Sequence, residues 1–154
     1  YKRQVFEPLL EELPEIRFHV AGRNAPRPFQ KKLKHPNITY HGEVEDARLF
    51  MQTYGIMVAP LWSGSGIRIK ILEAMALGRP VVTTATGIEG IAAEHLRTVM
   101  VGNDPQSFKS LIIRLMENPR ERDSMAAEAR KLIIREFDNF KLSKRLSQFY
   151  TAQA

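Results

Sequence analysis

The 154-residue sequence contains no cysteine. Disulfides, thiolate metal sites and thiol nucleophiles are therefore excluded. It contains no apolar run near the roughly 20 residues needed to cross a bilayer, and its first residues lack the apolar stretch of a signal peptide. There is one tryptophan, no aromatic-basic platform for stacking nucleic-acid bases, and no clustered Asp-x-Asp of the kind that holds a metal. These absences set the expectation of a soluble, cytoplasmic protein.

Hydrophobic residues make up 44% and charged residues 26%, an ordinary globular balance at the length of one domain. There is no internal repeat and no linker, so residues 1–154 are expected to form a single domain. Lys and Arg total 23 against 17 Asp and Glu, a net charge of +6. Such a surplus suits an anionic partner: nucleic acid, a membrane surface or a phosphorylated small molecule. The placement of the charges has to choose among them.

Val5, Phe6, Leu9, Leu10 and Leu13 recur at helical spacing until Pro14 stops the pattern. Ile16 to Gly22 reads as a buried strand ending in a glycine turn, Pro28 to Lys34 as a weak basic helix, Asn37 to Gly42 as a second strand and Glu45 to Tyr54 as a helix. Ile56 to Leu61 is apolar throughout, as parallel strands covered on both faces tend to be. Ile67 to Leu77 is a strong helix stopping at Gly78, followed by strands at Pro80 to Thr84 and Thr98 to Val101. Helices then span Pro105 to Glu117, Pro119 to about Phe137, and an amphipathic Phe140 to Tyr150. Strands alternating with helices imply a parallel sheet with helices on both faces. Because a doubly wound chain normally enters through a strand and this one enters through a helix, the expectation is a fragment of a longer protein, trimmed of its first strand.

The stretch Ala59 to Gly90, APLWSGSGIRIKILEAMALGRPVVTTATGIEG, is where chemistry is expected. Gly64 and Gly66 allow the backbone to approach a ligand closely, and the helix behind them begins with unpaired N–H groups and a positive dipole end. That combination is an anion site of the kind a diphosphate occupies. Arg68 and Lys70 place two cations in the first turn, where a lone helix prefers acids. An anion there explains them; a solvated pair of charges, or Arg68 paired with an acid, is the simpler alternative. Glu73, two turns beyond Gly66, can accept two hydrogen bonds from a ribose diol or pair with Lys70 or Arg79; its apolar neighbours predict partial burial. Gly87, Glu89 and Gly90 form a second loop that either touches ligand or is an ordinary turn before a helix. Trp62 can stack on a base or sugar, cover the strand, or meet another domain.

This segment resembles the donor-binding region of the GT-B glycosyltransferases of the large retaining family called glycosyltransferase group 1, or family 4, in the branch with the motif Gly-x-Gly-x-Arg-x-Lys-x-x-Glu-Ala-Met-Ala-x-Gly-x-Pro-Val-Val. The resemblance extends to VAG at Val20 to Gly22, YHGEVED at Tyr40 to Asp46 and VAPL at Val58 to Leu61, and covers nearly the whole chain. It implies a Rossmann-like three-layer α/β sandwich, the C-terminal half of a GT-B enzyme, binding a nucleoside-diphosphate sugar of UDP or GDP type. Within it Glu73 would hold the ribose. Ser65 stands where the family usually has a first glutamate that helps hold the donor sugar. Backbone N–H groups of Gly66 and Ile67 would face the hexose, and those of Ile69 and Lys70 the diphosphate. Gly42, Glu43 and Val44 would flank the base, with Gly22 and Arg23 at the neighbouring strand end. The N-terminal acceptor domain of the same polypeptide would complete the enzyme, so this domain alone is expected to be inactive. No metal or further cofactor is implied, because helix dipole and basic side chains offset the leaving diphosphate's charge.

No general base is identified. His19 reads as core, His35 and His95 as surface loop residues, and His41 at most as a lining residue. Other classes remain open at this stage: a non-catalytic nucleotide-sugar-binding module, or a sugar-nucleotide epimerase of the same architecture, which the Arg68 and Lys70 motif disfavours. A nucleic-acid binder is disfavoured by basic residues that are scattered and, in the later helices, interleaved with acids. The basic helices between Arg120 and Arg145 leave room for peripheral contact with an anionic membrane, although a solvated face is the simpler account.

Overall fold

A computed structural model describes residues 5–151. In chain order the elements are α1 (Glu7–Glu12), β1 (Phe18–Ala21), α2 (Arg27–Lys32), β2 (Ile38–Gly42), α3 (Ala47–Thr53), β3 (Met57–Ala59), α4 (Ile69–Ala76), β4 (Val81–Thr83), β5 (Met100–Val101), α5 (Pro105–Glu117), α6 (Pro119–Glu136) and α7 (Asn139–Thr151). A 3-10 turn at Ala85–Ile88 follows β4. Every expected helix and strand is present, and the strand ladders are all parallel.

The sheet is divided into two hydrogen-bonded pieces: β1 pairs with β2, and β3, β4 and β5 form a three-stranded ladder with β4 in the middle. β4 explains the layering. Val81 faces α4 and α6, packing with Ile71, Ala74, Met75, Ala129, Leu132 and Ile133. Val82 points the other way, to Leu9 of α1 and Phe108, Ile112 and Leu115 of α5. Because successive strand side chains point to opposite faces, three consecutive buried residues require a helical layer on each side. Both cores are apolar, so the strand has no solvent face.

Local chemistry sets the element ends. Asp46 caps α3 by accepting from the N–H groups of Arg48 and Leu49 at 2.7 and 3.1 Å. Asp104 and Ser107 make a capping box at the start of α5, satisfying N–H groups that a helix leaves unpaired. Gly78 ends α4 with φ of 67°, and the Arg79 N–H then returns to the Ala74 carbonyl at 2.9 Å, the left-handed helix end that glycine favours. Lys109, almost fully buried, pairs with Glu12 and so ties α5 to α1. The sequence does not single out this pair, since the residues lie far apart along the chain.

The differences from the sequence reading are mostly shorter elements. The strand read as Ile16 to Gly22 is four residues long and half-buried throughout. The helix read from Ile67 begins at Ile69. The turn after β4 does not lead into an α-helix before β5. α7 is amphipathic as expected and leaves Leu142, Leu146, Phe149 and Tyr150 exposed. None of the helices among the described residues is long and apolar enough to cross a membrane.

Phe108 has no exposed surface. Phe108→Ala is expected to lower unfolding stability by about 3–5 kcal/mol through lost burial and a residual cavity. Phe140→Ala, at 89% exposed, should change it by less than about 0.5 kcal/mol. Urea unfolding of both variants checks the placement of the core.

Candidate functional site

The chain leaves β3 at Ala59 and reaches α4 at Ile69 through a loop whose residues Ser63 to Ile67 are all exposed. Gly64 and Gly66 have φ of 119° and 82°, a region costly for side chains with a Cβ. A Cβ on Gly64 would also lie 2.8 Å from a terminal nitrogen of Arg68. Gly64 therefore serves a close approach by a side chain of the same loop.

Arg68 is the N-cap of α4 in an extended conformation, not a residue of the first turn. This corrects the expectation for it. Its guanidinium folds back to donate to the Ser65 carbonyl, while Nε and Nη2 are sealed from solvent without an acceptor. Unpaired buried donors on a cation are costly, and an anion in this loop would relieve them. Ile71 and Leu72 donate to the Arg68 carbonyl at 2.9 and 3.2 Å. The N–H groups of Ile69 and Lys70 thus lie ahead of the first intrahelical bond, at the positive end of the helix.

Lys70 lies within the first turn and its ammonium meets Glu73 at 2.6 Å. Glu73 is partly buried, its side chain 26% exposed. The helix begins after Gly66, so Glu73 is not two helical turns beyond it; Glu73 shares a face with Lys70, one turn back. Of the two alternatives for a paired Glu73, Lys70 is the partner. Arg79 donates instead to the Tyr54 carbonyl at 3.4 Å. The pair leaves Glu73 a second oxygen with free acceptor capacity and Lys70 two further N–H donors.

A second group forms at the ends of β1 and β2. The Gly22 N–H donates to the Gly42 carbonyl at 2.7 Å, and Arg23 pairs with Glu43 at 2.6 Å with both side chains well exposed. Gly42 has φ of 68°, and Val44 is half-buried in the turn leading to the α3 cap. The ladder register explains the meeting: Ala21 pairs with Gly42, which leaves His41 as an extra residue. A separate groove of about 500 Å³, lined by Arg27, Lys31, Lys34, His35 and Tyr40 among others, contains none of the residues selected from the sequence.

His19 and His35 differ from expectation, whereas His95 is the exposed residue expected. His19 is half-buried; its Nδ1 lies 3.0 Å from Nε2 of His41 and its ring stacks on Tyr54 at 4.0 Å. His35, also half-buried, accepts from the Asn37 N–H at 3.1 Å and meets the Phe6 ring edge-on. His95 is exposed and accepts from the Val101 N–H at 2.9 Å. No group of three metal-ligating side chains occurs among the described residues. Trp62 is 44% exposed at the loop entrance. Three site-adjacent residues escaped the sequence reading: Thr83, Thr84 and Asn103, whose side chains bond across strand ends. The only sequence signal for the threonines is a pair of hydroxyl residues ending an otherwise apolar strand, and Asn103 leaves none.

Residues 3–118 match the family described as Glycosyl transferases group 1. An uncharacterized 44.6 kDa protein in the cps region of Klebsiella pneumoniae is 26% identical over 151 residues, covering 92% of this chain and 39% of that protein. The chain thus spans about two-fifths of that curated relative. Among solved structures, HepE of Anabaena in complex with UDP-glucose superposes with a TM-score of 0.83 at 15% identity, over 98% of this chain and 45% of that one. The C-terminal domain of a glycosyl transferase group 1 family protein, LpcC of Francisella tularensis, gives a TM-score of 0.72 at 18% identity, over 90% and 80% of the two chains. At these identities the likeness is one of fold.

Burial first, and then the neighbouring His41, holds His19 below its ordinary value of 6.5. The unfolded chain therefore binds more protons than the folded one between that lowered value and 6.5, and stability is lost as pH falls through this window. Thermal unfolding at about pH 7.5 and about pH 5.5 should show a lower midpoint at the acid value. The drop should shrink in His19→Asn.

Proposed function

The chain belongs to the glycosyl transferases group 1 family, and on that premise we propose that it is the donor-binding part of a retaining, hexosyl-transferring enzyme that takes a nucleoside-diphosphate sugar of UDP or GDP type. The observation that carries this reading is the junction of the glycine loop with α4. There, two N–H groups ahead of the first intrahelical bond, the Lys70 ammonium and the unpaired Arg68 donors all belong to three consecutive residues.

In this reading the diphosphate lies at the start of α4, held by the Ile69 and Lys70 N–H groups and by the Lys70 ammonium. The loop N–H groups of Gly66 and Ile67 face the hexose, with Ser65 beside it. Glu73 accepts from the ribose hydroxyls through the oxygen that Lys70 does not occupy. Pairing with Lys70 also offsets the carboxylate charge that would repel the diphosphate. Gly42, Glu43 and Val44 flank the base, with Gly22 and Arg23 beside them. Transfer breaks the bond between the anomeric carbon and the β-phosphate oxygen and forms one to an acceptor hydroxyl oxygen, whose proton leaves to the diphosphate or to solvent. Charge accumulates on the departing diphosphate, where oriented donors lower the barrier. The acceptor is held by another domain of the same polypeptide, so the chain alone binds donor without transferring it. A cytoplasmic location, with peripheral membrane contact through the basic helices, belongs to the same proposal.

Calorimetric titration of UDP, GDP and ADP at two salt concentrations tests the reading. UDP or GDP should bind, more weakly at high salt because charged donors make the contacts; a folded chain that binds none of the three refutes the assignment. Glu73→Ala should weaken nucleotide binding roughly tenfold, the loss of about one good charged hydrogen bond, and leave pyrophosphate binding nearly unchanged. Equal loss of both would overturn the ribose role.

A further inference from the structure

Three strand ends beside the glycine loop are tied together by side chains. The Thr83 hydroxyl donates to the Ala59 carbonyl at 2.7 Å, and the Thr84 hydroxyl donates to the Leu61 carbonyl. On the far side, Oδ1 of Asn103 accepts from the Ala85 N–H at 2.8 Å, and the Gly102 N–H donates to the Thr83 carbonyl at 2.9 Å. These bonds run from the end of β5, through the end of β4, to the end of β3. Thr83 and Thr84 are 0% and 1% exposed.

The reason for a hydroxyl at Thr84 lies in the backbone. β3 pairs with β4 only as far as Ala59 with Thr83. Beyond that pair the Leu61 carbonyl has left the ladder, and a carbonyl there needs another donor or remains unsatisfied. Thr84, the first residue after β4, supplies it from a buried position. The same segment also holds the exit of the loop. Gly90 has φ of 77°, and a Cβ there would lie 2.9 Å from the Ile67 side chain. A Cβ on Gly87 would collide with the Thr83 hydroxyl and press on Ile71 at 3.3 Å. Residues 83–90 therefore grip the glycine loop at its entrance, Leu61, and at its exit, Ile67.

We propose that Thr84 is a positioning residue for the glycine loop: its hydroxyl, backed by the bond between Asn103 and Ala85, fixes the Leu61 carbonyl and with it the path of Gly64 to Ile67. The consequence for ligand binding rests on the donor-site reading above; the positioning itself does not. Thr84 touches neither substrate nor reacting atoms in this account. A loop bearing two glycines is intrinsically loose, and a donor array is effective only when it is held in place before the ligand arrives.

The test compares the native chain with Thr84→Val, which keeps the shape and removes the donor, and Thr84→Ser, which restores the donor. Backbone amide order parameters of Gly64, Gly66 and Ile67 are measured by NMR without ligand, and UDP affinity by calorimetry. Thr84→Val should lower the order parameters toward those of a flexible segment, below about 0.6, and raise the UDP Kd roughly tenfold. Thr84→Ser should return both to near native. Asn103→Ala, an exposed substitution that removes only the outer tie, should move both in the same direction by a smaller amount and serves if Thr84→Val does not fold. Native order parameters in Thr84→Val, or in Asn103→Ala where that variant serves, overturn the proposal. So does equal loosening in Thr84→Val and Thr84→Ser, because the hydroxyl would then not be the cause. A loop that loosens and is rescued in a chain that binds none of UDP, GDP and ADP upholds the positioning role and refutes the donor reading.

Discussion

The constraint on which the rest depends is the burial of β4 on both faces. Val81 packs into one apolar core and Val82 into the other, so the strand must lie between two helical layers. That in turn fixes where α4 sits: its buried residues Ile71, Ala74 and Met75 are held against the same face as Val81. Since α4 is held by its buried side, its N-terminus and the glycine loop before it are presented at the carboxyl end of β3. In parallel α/β folds that end is where ligands bind. The exposed start of α4, with its loop and leading N–H groups, is thus a consequence of core packing rather than a separate device.

Charge follows the same hierarchy. Several basic side chains are paired locally: Arg114 with Glu121, Lys131 with Glu128, and Arg97 with Glu94 and Glu128. These are exposed pairs, which contribute little to stability and are screened by salt. Arg68 is different, because two of its donors are withdrawn from solvent without an acceptor. Lys70 is different in another way, since it keeps two donors free while paired at the positive end of α4. Net charge alone does not separate these two residues from the other basic side chains; their position relative to backbone does.

Element order was readable because each core face leaves a periodic trace. The apolar strand Ile56 to Leu61, the helix stop at Gly78 and the run of helices after Pro105 all follow from local patterns, and the glycine loop was visible because Gly64 and Gly66 stand between an apolar strand and a strong helix pattern. Element ends were less readable. Local pattern puts Arg68 inside a helix that begins one residue after it, because nothing in the local sequence distinguishes an N-cap arginine from a first-turn one. The same pattern puts His35 on the surface, although Phe6, distant in sequence, packs against its ring.

The sequence by itself determined the parallel α/β class, the position of the glycine loop and the candidate residues around it, because these depend on spacing within a few turns of chain. Only the tertiary structure decided that Lys70 rather than Arg79 pairs with Glu73, that Arg68 turns back onto Gly64, and that Lys109 meets Glu12. It alone also revealed that Thr84 and Asn103 tie the strand ends together. The first two are local, but which of several partners within reach is taken depends on the path of the backbone. The last two join segments distant in sequence, and such pairings arise only when those segments pack and leave no periodicity to read.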